Sequence, residues 1–550
     1  MKEYKLTKLS NFSGRNGPLA LIIMDGIGLA HKGESNAFNR AETPFLDNVI
    51  IKCIKKNLYT SLKAHGTSVG LPTDNVMGNS EVAHNALGAG RIVKQRATLA
   101  KEEILSGDLF KSEKWKQAMS ALKAKKKTLH LIGLLSDGYV HSHISHLFGL
   151  IDGAVRSNIE RVRIHALLDG RDVPPQSSLE YISSLNKKLS NINNEKLFDY
   201  RIASGGGRMH VTMDRYYSDW EVVRRGWDAH VCAIAEESSG YEGYFKSATE
   251  AIQRAREQDP EISDQYLPSF VIVNNDNQPI GKMVDDDCVI NFNFRGDRAV
   301  EISEAFDDKE YGFEKKCNPN VVYYGLEQYD KKKQLPRNYF IEPPEVEDPL
   351  SKYLCNAKVR QFALAETHKY GHITYFWNGN KEGYVCPDYE EYIEIKSDPS
   401  EMIENNPEMK AFEVKNKFLN ALKSKTYDFL RVNFANGDMV GHTGNINSAI
   451  IAAETVDKCI KEIVDRVTEL EGIALITADH GNLEEMEKGK ETAHSLNPVM
   501  FAIVDSQYNN EYQINKNIKT PGLGNVAATI LNLLGYNKPK SFMESLLDFK

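Results

Sequence analysis

The sequence predicts an α/β protein with mainly parallel sheets, because short apolar, β-branched runs alternate with amphipathic helical patterns. Several of these runs also end in an acidic residue. The runs are LALIIMDG, LHLIGLLSDG, VRIHALLDGRD, FLRVNFANGD and IALITADHG, which end at Asp25, Asp137, Asp169 with Asp172, Asp438, and Asp479. Ligands of open α/β sheets bind outside the carboxyl ends of the strands. The pattern therefore predicts chemistry at those strand ends.

The predicted helices between the strands are amphipathic. An apolar stripe at helical spacing over 449–470 predicts a core helix. A final helix is expected over 526–534, because Gly535 is a natural C-cap.

Length, composition and charge limit the possible classes of protein. The chain has 550 residues, which suits two or three domains, and 41% hydrophobic with 26% charged residues is typical of a soluble globular protein. A net charge of -8 argues against broad nucleic-acid binding. The longest apolar runs are too short for a membrane span, and the N-terminal one ends in Asp25, so a cytoplasmic protein is expected. The seven scattered cysteines show no Cys-x-x-Cys spacing and are expected to be reduced thiols.

Two stretches rich in proline and charge, after Arg91 and over 334–349, are the candidate domain boundaries. They predict a discontinuous domain of residues 1–94 and 345–550, an inserted domain of residues 95–334, and a linker over 335–344.

Ser80 lies in DNVMGNSEVAHNALGAGR, just before a predicted helix. The stretch lacks the second glycine of the Gly-x-Ser-x-Gly nucleophile elbow. One interpretation makes Ser80 the N-cap of that helix, since a hydroxyl satisfies free amides at a helix start. The other makes it a nucleophile that is activated by something other than a neighbouring histidine.

The C-terminal third contains aspartates and histidines in three glycine-containing or polar turns, NGDMVGHTG, TADHGN and TAHS. Carboxylates and neutral imidazoles suit Zn²⁺, Mn²⁺ or Mg²⁺. Two cations need about eight to twelve coordination positions, which this group cannot fill alone. Asp25 and Ser80 are the expected further donors, and a cation at the Ser80 oxygen replaces the histidine base.

The predicted inserted domain contains arginines at strand ends, in LLDGRDV, SGGGRMHVTMDRY and NFNFRGDRA. Guanidinium groups pair bidentately with carboxylates and phosphates, so converging arginines suit a small acid that carries both. Each arginine taken alone is more simply a surface ion pair. His141, His143 and His146 in SDGYVHSHISH raise a further metal site, but His143 and His146 are more simply a cap or surface groups.

LIIMDGIG, DNVMGNSEVAHNALGAGR, HGNLEEM and TAHSLNPV resemble the cofactor-independent phosphoglycerate mutases of the alkaline phosphatase-like superfamily, from about residue 17 to the C-terminus. The resemblance implies a discontinuous three-layer α/β/α metal domain and an inserted α/β phosphotransferase domain. It also implies an isomerase of glycolysis and gluconeogenesis that interconverts 3-phosphoglycerate and 2-phosphoglycerate, without 2,3-bisphosphoglycerate, through a phosphoserine.

The resemblance also implies residue roles. One metal is held by Asp438, His442 and His494, and the other by Asp25, Ser80, Asp479 and His480. Substrate is bound by His141, Arg171, Asp172, Arg208, Arg215, Arg295, Arg298 and Lys369, with Ser80, Asp172 and Lys369 catalytic. Four residues separate Arg208 from Met213, as in plant and trypanosomatid forms, which leaves open whether Arg208 or Arg215 contacts substrate.

Two divalent cations per chain follow from this reading, with manganese first and magnesium, cobalt or zinc as alternatives. The expected partner is a small phosphoglycerate, without nucleic acid or membrane, and the expected assembly is a monomer. Two rivals share the metal chemistry: a phosphatase or another mutase, which would not need the arginines, and an inactive metal-binding scaffold. Competent residues at every ligand position disfavour the scaffold.

Overall fold

The computed structural model describes residues 4–215, 217–236, 238, 240–308, 311–344, 346–399, 402–487 and 492–550. The chain forms two compact units. The first unit comprises Met1–Gln95 and Glu345–Lys550, and the second comprises Arg96–Pro344.

The strands and helices are numbered in chain order. The strands are β1 Leu19–Met24, β2 Tyr59–Leu62, β3 Leu129–Leu135, β4 Arg161–Leu168, β5 Asp199–Gly207, β6 Tyr244–Phe245, β7 Phe270–Ile272, β8 Cys288–Asn291, β9 Val322–Glu327, β10 Tyr339–Ile341, β11 Gln361–Glu366, β12 Glu390–Ile395, β13 Phe429–Phe434, β14 Ile473–Thr477, β15 Val499–Asp505, β16 Tyr512–Ile514 and β17 Leu547–Phe549. The helices are α1 Ala37–Arg40, α2 Pro44–Lys55, α3 Ser80–Ala89, α4 Arg96–Leu105, α5 Glu113–Ala124, α6 Ile144–Arg156, α7 Ser178–Lys196, α8 Trp220–His230, α9 Ala248–Gln258, α10 Val300–Asp307, α11 Leu350–Asn356, α12 Thr367–Gly371, α13 Ala411–Ser424, α14 Asn436–Gly441, α15 Ile446–Glu469 and α16 Val526–Leu533.

The first unit is built on a seven-stranded sheet in the order β12-β11-β13-β1-β14-β15-β2. The five strands from β12 to β14 are parallel, and β15 and β2 join antiparallel at one edge. The central strand β1 is buried along its whole length, as a strand covered on both faces must be.

The second unit is built on an eight-stranded sheet in the order β10-β9-β8-β3-β4-β5-β7-β6. Its strands are parallel except where β7 runs antiparallel to β5. The predicted α/β class with mainly parallel sheets is confirmed, and all five predicted acid-terminated strands are present as β1, β3, β4, β13 and β14.

Local sequence explains the helix boundaries. The helix α15 begins at Ile446, earlier than the predicted 449, because the Asn445 side chain accepts from the amides of Asn447 and Ser448. The helix α16 is followed by Gly535, whose φ of 80° suits glycine at a helix end. Their apolar faces pack in one core with β1 and β14.

Residues 335–344, expected to be a linker, include β10, which pairs with β9 at the edge of the second sheet. This backbone pairing makes the stretch part of the second unit. The prolines of this stretch predicted a linker, so the short strand was missed. Prolines are tolerated near an edge strand because one side of the hydrogen-bond ladder is open.

The expectation of reduced cysteines is wrong for four of them. The structure joins Cys232 to Cys317 and Cys355 to Cys386, with Cα–Cα distances of 5.6 and 6.2 Å. The paired residues are 85 and 31 positions apart in sequence, so no local spacing indicates them. Cys53, Cys288 and Cys459 are free and buried.

Within the described residues, no helix has both the length and the apolar character that crossing a lipid bilayer requires.

Candidate functional site

The predicted metal donors of the first unit lie beyond the carboxyl ends of parallel strands. Asp25 directly follows β1, which pairs with β13 on one side and β14 on the other. Asp438 lies in α14 just after β13, and Asp479 follows β14 by two residues. Parallel strands end at the same edge of a sheet, so these carboxylates come from separate parts of the sequence to one place.

Ser80 is the first residue of α3, but Asn79 is the N-cap, since its side chain accepts from the Val82 amide at 3.1 Å. The local capping interpretation of Ser80 is therefore wrong. Its Oγ lies 3.2 Å from Asp25 Oδ1 and 2.9 Å from His480 Nε2. Ser80 as a whole is 5% exposed, and its hydroxyl faces the charged groups of the site.

Lys369, in α12 after β11, is the cation among these groups. Its Nζ lies 2.6 Å from Ser80 Oγ, 2.6 Å from Asp438 Oδ2 and 2.8 Å from Asp25 Oδ1. Burial would lower the pKa of Lys369, but Asp25 and Asp438 raise it above the ordinary value, so the ammonium stays charged. We call this set the donor cluster: Asp25, Ser80, Lys369, Asp438, His442, Asp479, His480 and His494.

Two histidines of the donor cluster present bare nitrogens to one carboxylate. His442 and His494 each donate Nδ1–H to a backbone carbonyl, of Thr492 and Gly78, both at 2.8 Å. Their Nε2 atoms lie 3.2 Å apart, and each is 3.1 Å from Asp438 Oδ1. Two imidazole lone pairs and a carboxylate oxygen facing one another suit a cation between them.

A second group consists of Asp25, Asp479 and His480, whose donor atoms all lie within 4.8 Å of one another. The Asp479 Oδ1 atom accepts from the amides of Gly26 and His480, whereas Oδ2 has no hydrogen-bond partner among the described residues. A buried oxygen without a partner is costly unless something binds it. The chemistry of both groups fits divalent metal ions.

Burial governs the charges in the donor cluster. Burial, with Asp479 next, raises the pKa of Asp25 to about 6, and burial also raises that of Asp479. Burial alone would raise the pKa of Asp438, but the Lys369 ammonium holds it well below its usual range. Burial and His494 lower the pKa of His480 to about 3, which keeps that imidazole neutral and able to act as a ligand.

A second cluster of predicted residues lies in the second unit, around His141 between β3 and α6. We call it the arginine cluster: His141, Arg171, Arg208, Arg215, Arg295 and Arg298. Burial, followed by Arg208, Arg295, Arg298 and Arg215, lowers the pKa of His141 to about 2. The ring is therefore neutral at ordinary pH, and its Nδ1 lies 3.4 Å from Asp297 Oδ1.

The arginines differ in how firmly they are held. The Arg208 guanidinium is 1% exposed and pairs with Asp169 at 2.8 Å and with Asp172. Arg298 donates to the Met213 carbonyl at 2.6 Å, whereas the side chains of Arg295 and Arg215 are 46% and 41% exposed. Arg208 thus orients Asp172, whereas the guanidiniums of Arg295 and Arg215 are more exposed to solvent.

The other two histidines of the SDGYVHSHISH stretch do not join these clusters. His143 caps α6 by accepting from the Ser145 amide at 3.1 Å. His146 is fully buried rather than at the surface, against Phe294. Three residues that the sequence did not single out contact the clusters: Asp297, and His84 with Asn433 in the first unit. A polar asparagine in a buried strand, whose only other polar residue is Arg431, was the available signal for Asn433.

Comparisons with known proteins point to the same class. Residues 17–538 match the Metalloenzyme superfamily. Relatives with the name 2,3-bisphosphoglycerate-independent phosphoglycerate mutase include a probable one from Leptospira interrogans, 45% identical over 99% of both chains. Those of Ricinus communis and Trypanosoma brucei brucei are 43% and 42% identical, over 96% of this chain and 96% and 97% of theirs.

A solved structure gives the same result. The crystal structure of Leishmania mexicana phosphoglycerate mutase at low cobalt concentration is 39% identical, covers 99% of this chain and 100% of its own, and superposes with a TM-score of 0.75. The chain therefore belongs to the Metalloenzyme superfamily and, within it, to the 2,3-bisphosphoglycerate-independent phosphoglycerate mutase family. The resemblance seen in the sequence motifs and the fold expected from it are confirmed.

Proposed function

We propose that the protein interconverts 3-phosphoglycerate and 2-phosphoglycerate without 2,3-bisphosphoglycerate. The family supports this activity, and one observation carries it: Ser80 Oγ is free of the helix cap and lies 2.6 Å from the Lys369 ammonium. A serine hydroxyl next to a fixed cation, at the N-terminus of a helix, is placed to receive a phosphoryl group.

The donor cluster would hold two divalent metals. Asp438, His442 and His494 would hold one, and Asp25, Ser80, Asp479 and His480 the other, which fits the bare nitrogens and the unpartnered carboxylate oxygen. When bound, the metals supply Lewis acidity that lowers the pKa of the serine hydroxyl and offsets phosphoryl charge. Mixed carboxylate and imidazole donors favour manganese, with magnesium, cobalt and zinc as the other candidates.

The residues of the chain would carry the transfer as follows. A phosphorus–oxygen bond of the substrate breaks as a Ser80 Oγ–phosphorus bond forms, and the glycerate oxygen that leaves takes up a proton. The Ser80 hydroxyl gives up its proton in this step and regains one in the return step. The return step breaks the bond to Ser80 and forms one to the neighbouring glycerate oxygen, which gives up its proton, so no proton is gained overall. Lys369 stabilises negative charge on the phosphoryl oxygens in both directions.

The arginine cluster would bind the carboxylate and phosphate of the substrate. Arg171, Arg215 and Arg295 would bring exposed guanidiniums to the anion, and Arg298 would bring a buried one. Asp172, oriented by Arg208, would carry protons to and from the glycerate hydroxyls, with His141 as a neutral hydrogen-bonding partner.

This function assigns metal binding to the first unit and substrate binding to the second. We also propose a monomer that acts in the cytoplasm on a small acid. The net charge of -8 argues against nucleic acid as a partner. The number of free thiols in protein isolated under non-reducing conditions tests the location. Seven free thiols agree with the cytoplasm, whereas three mean that both disulfides are formed, which is more typical of an oxidising compartment.

The function is tested by incubating purified protein with 3-phosphoglycerate and Mn²⁺, with no 2,3-bisphosphoglycerate, while phosphorus NMR follows the products. We expect 2-phosphoglycerate at a constant total of organic phosphate. Release of inorganic phosphate alone would make the protein a phosphatase, and no change in either signal would overturn the substrate.

A further inference from the structure

Two buried residues outside the predicted donor set link Ser80 to Asp25. His84 lies one helical turn after Ser80 in α3, and Asn433 lies in β13, paired in register with Ile23 of β1. Both side chains are fully buried or nearly so. The His84 Nδ1 atom is 2.8 Å from the Ser80 carbonyl oxygen, and its Nε2 is 3.3 Å from Asn433 Nδ2. Asn433 Nδ2 is also 2.7 Å from Asp25 Oδ2.

The partners determine where every proton in this chain of contacts lies. A carbonyl oxygen can only accept, so His84 carries its proton on Nδ1 and presents a lone pair at Nε2. The Asn433 amide nitrogen has two protons, and it gives one to that lone pair and the other to Asp25 Oδ2. If the amide were turned over, its oxygen would face a carboxylate oxygen and an imidazole lone pair.

This arrangement divides the two oxygens of Asp25 between different tasks. Oδ2 is occupied by Asn433, while Oδ1 is the atom near Lys369 Nζ at 2.8 Å and Ser80 Oγ at 3.2 Å. Asp479 Oδ1 likewise accepts from backbone amides, and its Oδ2 accepts no hydrogen bond among the described residues, although His84 Nδ1 lies 3.5 Å from it. Ser80 Oγ also lies 3.4 Å from Asp25 Oδ2. In both aspartates one oxygen accepts from amide N–H groups, and the other is the oxygen left for a metal ion.

We propose that Asn433 and His84 are positioning residues that hold Asp25 so that a single oxygen, Oδ1, is offered to the metal. The inference rests on the proposed metal-binding function of the donor cluster. Neither residue touches the reacting atoms through its side chain. Asn433 acts through Asp25, and His84 acts through Asn433 by keeping the amide turned towards the carboxylate.

The experiment measures the affinity of the metal-stripped protein for Mn²⁺ from the electron paramagnetic resonance signal of the free ion. Asn433→Ala should weaken the affinity about 10-fold or more, which is the usual cost of losing a partner of a metal ligand. Asn436→Ala is the matched control. Asn436 is also buried, donates to the carbonyls of Pro407 and Glu408, and has an unpartnered Oδ1, but contacts Asp25 nowhere in the described structure. The Asn436→Ala variant should lose thermal stability and keep its Mn²⁺ affinity within about 2-fold of the wild-type affinity.

Two variants of His84 separate positioning from simple packing. In His84→Gln the terminal amide can reach the place of Nε2 and accept from Asn433, but the bond to the Ser80 carbonyl is lost. In His84→Asn the shorter amide can still donate to the Ser80 carbonyl and leaves Asn433 without its acceptor. The inference expects His84→Gln to bind Mn²⁺ more tightly than His84→Asn. A purely structural role, in which the helix contact matters, expects the reverse.

The outcomes are separable. If the wild-type protein fails to bind Mn²⁺, the proposed metal centre and this inference are both overturned. If the wild type binds and Asn433→Ala binds equally well, or Asn436→Ala is equally impaired, the inference alone is overturned. Should Asn433→Ala fail to fold, the order of the two His84 variants decides.

Discussion

The donor cluster and the arginine cluster hold their charged groups in opposite ways. In the donor cluster, Asp25 and Asp479 are 0% exposed and Ser80 is 5% exposed, and their positions are set by hydrogen bonds from backbone and buried side chains. In the arginine cluster, the side chains of Arg215 and Arg295 are 41% and 46% exposed, and Asp169, Asp172 and Asp297 form ion pairs with the arginines.

The difference suggests different tasks. A buried set of donors is preorganised, so little rearrangement is needed at the moment of reaction. Long exposed guanidiniums can adapt to a ligand that changes which oxygen carries its phosphate. Changes to the donor cluster should therefore reduce turnover, and changes to the arginine cluster should mainly weaken substrate binding.

Ser80→Ala should have the largest effect. Removal of Oγ removes the proposed phosphoryl acceptor, so kcat should fall by at least about 10⁴-fold. The mutase assay and acid-stable phosphate labelling of the protein both report it. Ser448→Ala is the control, since this serine is also buried, with its hydroxyl on the Glu404 carbonyl at 2.8 Å, and it should keep full activity. Labelling that survives in the Ser80 variant would contradict the assignment.

Lys369→Met should follow, with kcat lower by about 10²- to 10³-fold and a smaller change in KM. The variant leaves Asp25 and Asp438 without the cation that lies 2.8 and 2.6 Å away. Lys415→Met is the matched control, because Lys415 is a largely buried lysine of the same unit that forms an ion pair with Glu462 and lies over the Phe412 ring, outside the donor cluster. Equal losses in both variants would show a general effect of burying methionine.

Arg298→Lys should raise KM about 10-fold and change kcat little, since lysine keeps the charge and loses the planar fork that binds carboxylate or phosphate bidentately. Steady-state kinetics with 3-phosphoglycerate measure the division between KM and kcat. Arg163→Lys, at a buried arginine tied to Asp199 and the Ile280 carbonyl, should cost stability and leave KM unchanged. A fall in kcat alone for Arg298→Lys would contradict this prediction, because it would show that Arg298 contributes to turnover rather than to substrate binding.

The smallest predicted effect concerns acid stability. In the second unit, His130, His165, Ser204 and His230 form a buried hydrogen-bonded chain. Burial lowers the pKa of His230 to about 3, whereas the unfolded value is near 6.5. Between these values the unfolded chain binds the extra proton, so the free energy of unfolding falls as pH falls, by about 1.4 kcal/mol per pH unit for each such histidine.

Urea unfolding at pH 5.5 and at pH 4.5 measures this slope, because both values lie below the unfolded pKa and above the folded one. His230→Gln should reduce the dependence on pH by about one proton, since it removes one group that titrates only on unfolding. A slope in His230→Gln equal to that of the wild type would show that His230 is protonated in the folded state.

The sequence predicted the parallel sheets because buried strands that end in aspartate are a strong local pattern, and the strands with Asp25, Asp438 and Asp479 are all in place. It did not predict β10, since a three-residue edge strand depends on its partner β9. Nor did it predict the two disulfides, which join positions far apart in the chain.

The site shows the same division. Residues with chemistry at strand ends were identifiable, and family motifs supplied their pairing. Asn433, His84 and Asp297 were missed because their importance lies in which atom each one contacts, and sequence spacing does not contain that information.

The interruption of the first unit by residues 96–344 also imposes an order on synthesis. The strand β1 is made early, yet both of its neighbours, β13 and β14, come after residue 428. When the ribosome reaches the last quarter of the chain, all strands of the second unit have been synthesised, but neither neighbour of β1 has. Asp25 meets Asp438 and Asp479 only near the end of translation, so a nascent chain acquires its metal affinity last.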